Sequence, residues 1–218
     1  MADKLILATG FEPFPSAPLN PTAWLIEQLK AGGWAPEGVR LEARVLPTTY
    51  DVCETTLMPL LDELKPDAVV QFGLSAKAMG FTLERTAINT QHTSKPDSAG
   101  RFAVTPWIDP MAPGTRGSSL PLNDIAVALE AAGLPWDFSD HAGQYMCNLV
   151  FFRTRLALPG LMTGFVHVPY TAPMQAEIIA TGAPVPEGVP LEEADLLRGA
   201  KLVVDAVAAR LRAPAAMV

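Results

Sequence analysis

Four short apolar runs constrain this chain most: LILATG at 5–10, VRLEARVLP at 39–47, DAVVQFG at 67–73 and TGFVHVP at 163–169. LILATG, DAVVQFG and TGFVHVP read as buried strands, whereas VRLEARVLP alternates apolar and polar residues as a half-buried strand does. Helical patterns separate the first three runs. Asn20 before Pro21 is a helix start, an N-cap side chain with proline at the first helical position. Trp24, Leu25 and Leu29 give that helix an apolar face, and Gly32-Gly33 end it. Leu57, Leu60, Leu61 and Leu64 recur at helical spacing before Pro66. Strand, helix, strand, helix, strand in that order predicts an α/β fold with a mainly parallel core.

Further along, FTLERTAIN at 81–89 reads as one more strand, and residues 91–120 form a long loop rich in Ser, Pro, Thr and Gly. Long loops in compact domains are often functional. LNDIAVALEAAG at 122–133 is helical, WDFSDHAG at 136–143 is strand into turn, and 147–158 is a helix with Leu149, Phe152 and Leu156 on one stripe. Residues 191–211 close the chain as an amphipathic helix with Leu196, Ala200, Val203 and Val207 on one side. The sequence has no internal repeat, and its 218 residues suffice for one sizeable core, so one domain is expected over 1–218.

Composition removes several classes of function. Hydrophobic residues make up 49% and charged residues 18%, which argues against disorder, yet no apolar run approaches the ~20 residues that cross a bilayer. The start, MADKLILATG, is unlike a secretory signal, so a soluble cytoplasmic protein with no membrane partner is expected. A formal net charge of -7 with no Lys/Arg cluster disfavours nucleic acid. Two cysteines, Cys53 and Cys147, are too few for a disulfide framework or a thiolate zinc site. Walker, G-x-S-x-G, H-E-x-x-H and G-x-G-x-x-G motifs are absent.

Cys147 stands directly before an apolar helical run. If it opens that helix, unpaired backbone N–H groups and the positive end of the dipole hold its thiol below the free value of ~8.5. Free cysteine is also among the most buried residue types, so position alone leaves a structural thiol open. A nucleophile needs a base, and the chain has three histidines, at 92, 141 and 167. His167 lies near the end of a strand, where parallel sheets place their ligand crevice, and is favoured by topology. Glu84, a charge in an otherwise apolar strand, is a candidate to orient the imidazole, with an ordinary salt bridge as the alternative.

TGFEPF at 9–14, NP at 20–21, LERTAIN at 83–89, SLP at 119–121, AGQYMCN at 142–148 and GFVHVPY at 164–170 occur in an order and spacing that resembles the pyrrolidone-carboxylate peptidases. These are also called pyroglutamyl-peptidase I, a family of cysteine peptidases. The resemblance covers nearly the whole chain. It implies a three-layer α/β/α sandwich with a mainly parallel mixed sheet, related to nucleoside phosphorylases. It further implies no metal or organic cofactor, a homotetramer, and peptides with an N-terminal pyroglutamate as partners. Carried over by motif, the catalytic triad falls on Cys147, His167 and Glu84. Phe11 and Phe14 then hold the pyroglutamyl ring, with Asn20 and Leu74 as further substrate-binding positions. The chain departs from the pattern at Pro15-Ser16, where the family has Gly-Gly, and at Lys77-Ala78, where it has Gly-Arg. It departs again at Ser94, where many members carry an arginine. Two rivals share the fold, a phosphorylase acting on nucleosides and a binding protein that has lost catalysis.

Overall fold

The structure, a computed structural model, describes residues 4–15 and 17–213. In chain order its first half runs β1 (Lys4–Phe11), α1 (Pro21–Ala31), β2 (Val39–Leu46), a π-helical turn (Cys53–Leu57) leading into α2 (Met58–Leu64), β3 (Ala68–Leu74), β4 (Phe81–Glu84) and β5 (Thr86–Ile88). The second half runs β6 (Thr115–Gly117), α3 (Leu122–Ala131), β7 (Trp136–Ser139), α4 (Met146–Ala157), β8 (Met162–Val168), α5 (Ala172–Ala180) and α6 (Glu193–Arg212). Six strands pair in the order β2-β1-β3-β8-β4-β7, and β5 pairs with β6 in a separate ribbon. β2, β1, β3 and β8 are mutually parallel, β4 is antiparallel to β8, and β7 is parallel to β4. The expected mainly parallel mixed sheet is therefore present.

Alternation along the strands sorts the core into two layers, because successive strand side chains leave on opposite faces. Ile6 and Ala8 of β1, Val70 and Phe72 of β3, and Val166 and Val168 of β8 pack into one cluster with α1, α3 and α6. Leu7, Val69 and Phe165 from the same strands pack into the other with the π-helical turn, α2 and α4. The helix starts follow local rules. Asn20 caps α1 by accepting from the Thr22 N–H, with Pro21 inside the first turn. On α6 the side chains expected on one face, Leu196, Ala200, Val203 and Val207, are fully buried. Facing follows from the same parity. His167 leaves β8 on the side of Phe165, and Glu84 leaves β4 on the side opposite Leu83, so both face the α4 layer.

The structure departs from the sequence expectation in four places. FTLERTAIN is two strands in two sheets, because Arg85 donates from N–H to the Ser139 carbonyl while its own carbonyl accepts from Ser118 N–H, turning the chain from β7 toward β6. The 91–120 stretch is not wholly loop, since β6 lies within it. α5 was not signalled, although Thr171 caps it and Pro173 sits in its first turn. The Cys147 helix opens one residue earlier, at Met146. Of the Pro15-Ser16 pair, Pro15 lies in an exposed turn and Ser16 falls outside the described residues.

Gly199, inside α6, shows how tightly the sheet and its covering helix meet. A methyl group there would collide with the ring of Phe81 and touch Leu134. Helix propensity favours Gly199→Ala by about 1 kcal/mol, and overpacking a buried ring costs about 1–3 kcal/mol. Urea unfolding of this variant is expected to give a net loss of stability, against the propensity trend.

Candidate active site

α4 supplies the thiol. Tyr145 takes an extended conformation as the N-cap, and the first helical bond runs from Leu149 N–H to the Tyr145 carbonyl. The N–H groups of Met146, Cys147 and Asn148 thus precede the ladder, in the set that a helix start leaves without intrahelical partners. Cys147, half-buried, sits at the second helical position. Opposite it, β3 carries Gly73, where a Cβ would lie 2.8 Å from Cys147 Sγ and 2.5 Å from the Phe165 ring. Only a glycine leaves room for the sulfur to approach the strand so closely. Asn148, fully buried, pins the helix start. Its Oδ1 accepts from Ile88 N–H at 2.9 Å, and its Nδ2 donates to the carbonyls of Ile88 at 2.8 Å and Thr90 at 2.9 Å.

β8 and β4 supply the other two groups. Thr82 lies directly across from His167 in the antiparallel register, and Glu84 across from Phe165. His167 and Glu84 are therefore diagonal neighbours on one face, a separation that long side chains span. They do so with a 2.7 Å hydrogen bond between His167 Nδ1 and Glu84 Oε1. Both side chains are buried, and the second oxygen of Glu84 has no hydrogen-bond partner among the described residues. Burial acts first on the imidazole and pulls its pKa down, but the charge of Cys147 and the hydrogen bonds to Cys147 and Glu84 outweigh it. His167 ends well above the ordinary histidine value.

The remaining titratable candidates are sorted by place. Cys53 is buried in the α2–α4 layer, and burial, then the neighbouring Glu54 charge, pushes its thiol up to about 12. His92 is exposed in the long loop and does not line the cleft. His141 lines the cleft, but it is exposed and its Nδ1 accepts from Gly143 N–H at 3.1 Å. Among the described residues, no three His, Cys, Asp or Glu side chains gather into a group able to hold a metal ion.

A cleft of about 520 Å³ opens over Cys147, Glu84 and His167, and Phe11, Phe14, Asn20 and Leu74 line it too. Phe11 is packed into the core, while Phe14 forms a half-exposed wall tied through its backbone to Ala17. The polar atoms of Asn20 are engaged locally: Oδ1 accepts from Thr22 N–H and Oγ1, and Nδ2 donates to the Glu12 carbonyl. Asn20 therefore fixes the loop that leaves β1 after Phe11 and carries Phe14. Lys77 is exposed and paired with Glu187, and Ala78 is buried. Ser94 is exposed, whereas the next residue, Lys95, enters the cleft.

Sequence reasoning missed Asn148, Tyr145 and Lys95. Asn148 adjoins Cys147 and carried a signal, since an amide in an apolar helix needs buried partners. The other two had none, because their proximity comes from the long loop folding back onto α4. There Tyr50 Oη donates to the Lys95 carbonyl at 2.8 Å, and Tyr145 Oη donates to the Pro96 carbonyl at 2.8 Å.

A buried carboxylate bonded to one nitrogen of an imidazole, with a thiol at a helix start on its other side, is the constellation of a nucleophile-and-base hydrolase on an α/β fold. Comparison with known proteins narrows that class. A family model described as Pyroglutamyl peptidase matches residues 4–209. A pyrrolidone-carboxylate peptidase of Deinococcus radiodurans is 32% identical over 217 residues, covering 94% of each chain. One of Pseudomonas fluorescens is 34% identical over 169 residues, 77% of this chain and 79% of the other. Among solved structures, a mutant pyrrolidone carboxyl peptidase from Pyrococcus furiosus superposes with a TM-score of 0.86 at 29% identity, covering 95% of this chain and 99% of that one. The enzyme from Thermococcus litoralis gives 0.85 at 29% identity, covering 95% and 94%. The chain belongs to the pyroglutamyl peptidase family of cysteine peptidases.

Asn148→Ala removes three hydrogen bonds and leaves groups of the Ile88–Thr90 segment without their partners. A loss of about 2–3 kcal/mol in urea unfolding is expected, and a loss within about 0.5 kcal/mol would show that water replaces the amide.

Proposed function

We propose that this protein is a cysteine exopeptidase that removes an N-terminal pyroglutamyl residue from peptides, with Cys147 as nucleophile, His167 as acid and base, and Glu84 as the group that orients His167. The observation that carries the mechanism is the buried 2.7 Å bond from His167 Nδ1 to Glu84 Oε1, which leaves Nε2 for the thiol. The raised imidazole pKa supports His167 as the group that takes the proton of Cys147 as the sulfur attacks. The sulfur attacks the pyroglutamyl carbonyl carbon, and the oxyanion that forms accepts from the backbone N–H groups at the start of α4. One such donor is typically worth about 3 kcal/mol of barrier. His167 gives its proton to the leaving amine as the C–N bond breaks, and a thioester remains. A water molecule, deprotonated by His167, then attacks the thioester and releases pyroglutamate and the free thiol.

The pocket chemistry supports the substrate. Phe11 and Phe14 offer apolar faces to a flat ring. The same reading takes residues 1–218 as one catalytic domain, with no metal or organic cofactor, assembled as a homotetramer and working in the cytoplasm. Exposed apolar side chains at Ile179, Val185 and Val189 are consistent with association between copies. None of the helices among the described residues is long and apolar enough to cross a membrane.

On a chromogenic pyroglutamyl amide, Cys147→Ala and Cys147→Ser are expected to abolish turnover with little loss of fold, and Cys53→Ser to retain it. An active Cys147→Ser with a dead Cys53→Ser sinks the assignment. Removing His167 is expected to cost more than Glu84→Gln, because one group transfers protons and the other orients. Equal activity of His167→Ala and the parent would move the base to His141 or His92. Prolyl amides lack the lactam oxygen, and each polar pocket group left unpaired costs about 1–3 kcal/mol. They are expected to react at least ~10²-fold more slowly, and equal rates would rule out a lactam pocket.

A further inference from the structure

The mechanism above makes no use of one charge in the cleft, the ammonium of Lys95. Its backbone is fixed on both sides by tyrosine hydroxyls, Tyr50 on the His92 and Lys95 carbonyls and Tyr145 on the Pro96 carbonyl. Its Nζ stands 4.0 Å from the centroid of the Tyr145 ring and 5.7 Å from that of Phe14. Both are within the range at which an aromatic face holds a cation. Tyr145 and Phe14 themselves touch, with centroids 5.9 Å apart, so the ammonium rests on a composite aromatic wall.

No carboxylate neutralises it. Among the described residues Lys95 makes no ion pair. The nearby Asp97 is buried and engaged by Arg101 and by backbone N–H groups. Of the carboxylates that line the cleft, Glu84 is held by His167, and Asp137 forms no ion pair with Lys95. Half-burial pulls the pKa of Lys95 below the ordinary lysine value, and the charge of Cys147 pulls it back up. Lys95 and the thiol therefore share one electrostatic neighbourhood.

We propose that Lys95 is a specificity-determining residue, a fixed positive charge on the Phe14–Tyr145 wall that repels peptides with a protonated α-amino terminus and so favours a terminus closed as a neutral lactam. This rests on the peptidase reading, in which Phe14 flanks the ring. An ordinary peptide terminus has a pKa of about 7.7–8.0 and is largely cationic at neutral pH, whereas a lactam nitrogen is an amide and carries no charge. Discrimination then comes from a clash built against the wrong substrate as well as from contacts with the right one. The same ammonium is a donor for the lactam carbonyl, which a prolyl ring lacks.

The test compares Lys95→Met and Lys95→Arg with the parent, all in a Cys53→Ser background. The first readout is the ratio of kcat/KM on a prolyl amide to that on a pyroglutamyl amide near neutral pH. Lys95→Met is expected to raise it about tenfold, equivalent to about 1.4 kcal/mol, and Lys95→Arg to hold it within about twofold. The second readout needs no turnover. Cys147 is modified with sulfonatoethyl methanethiosulfonate, an anion, and with the trimethylammonioethyl reagent, a cation. The anion-to-cation rate ratio is expected to fall about tenfold or more in Lys95→Met. A packing role would change all rates alike, so unmoved ratios in an active parent overturn the proposal. A parent that does not cleave the pyroglutamyl amide overturns the peptidase reading, and this role with it.

Discussion

The hydrogen bond between Glu84 and His167 is the constraint on which the rest of the site depends. A carboxylate inside an apolar sheet is costly unless it is paired, and it is paired here with a ring 83 residues away in sequence but on the neighbouring strand in space. That pairing requires β4 to run antiparallel to β8, in an otherwise parallel neighbourhood, with both side chains on the α4 face. The start of α4 brings Cys147 into the same cleft as that pair. Glu84 and His167 are thus each the other's buried polar partner, and removing either leaves the other without it.

The thiol is brought to that pair by close approach as much as by charge. Gly73 leaves the space that a side chain would fill, and Asn148 ties the first turn of α4 to β5. Farther out, the long polar stretch after β5 is ordered by side chains that bond to backbone. Asn89 holds the segment at Asp109 and Ala112, and Asp97 accepts from Tyr50, Ala99 and Arg101 N–H groups. A stretch with little regular structure becomes a cleft wall in this way, and the wall carries Lys95. The two cysteines show what surroundings do to identical chemistry. Cys53, sealed in a core layer, is held as a neutral thiol, while Cys147 faces an imidazole across a cleft.

Much of this was legible along the chain, and the part that was not has physical reasons. Asn20-Pro21 announced α1 because capping is local, and the Leu196–Val207 stripe announced α6 because one face of it is buried. α5 gave no such stripe, since none of its residues is buried. FTLERTAIN read as one strand because periodicity does not reveal which sheet a strand joins. Of three histidines, topology favoured the one that the structure brings to Cys147, and the family motifs pointed to the same residue.

By itself the sequence determined most of the strands and helices, many of the residues that cap and bury, and the chemical groups on offer, because these rest on contacts within a few residues of the chain. Only the tertiary structure decided that β4 reverses, that Glu84 reaches His167, that Gly73 makes room for Cys147, and that Lys95 folds back over Phe14 and Tyr145. Those outcomes depend on register and approach between segments far apart in the chain, and packing of the whole molecule sets both.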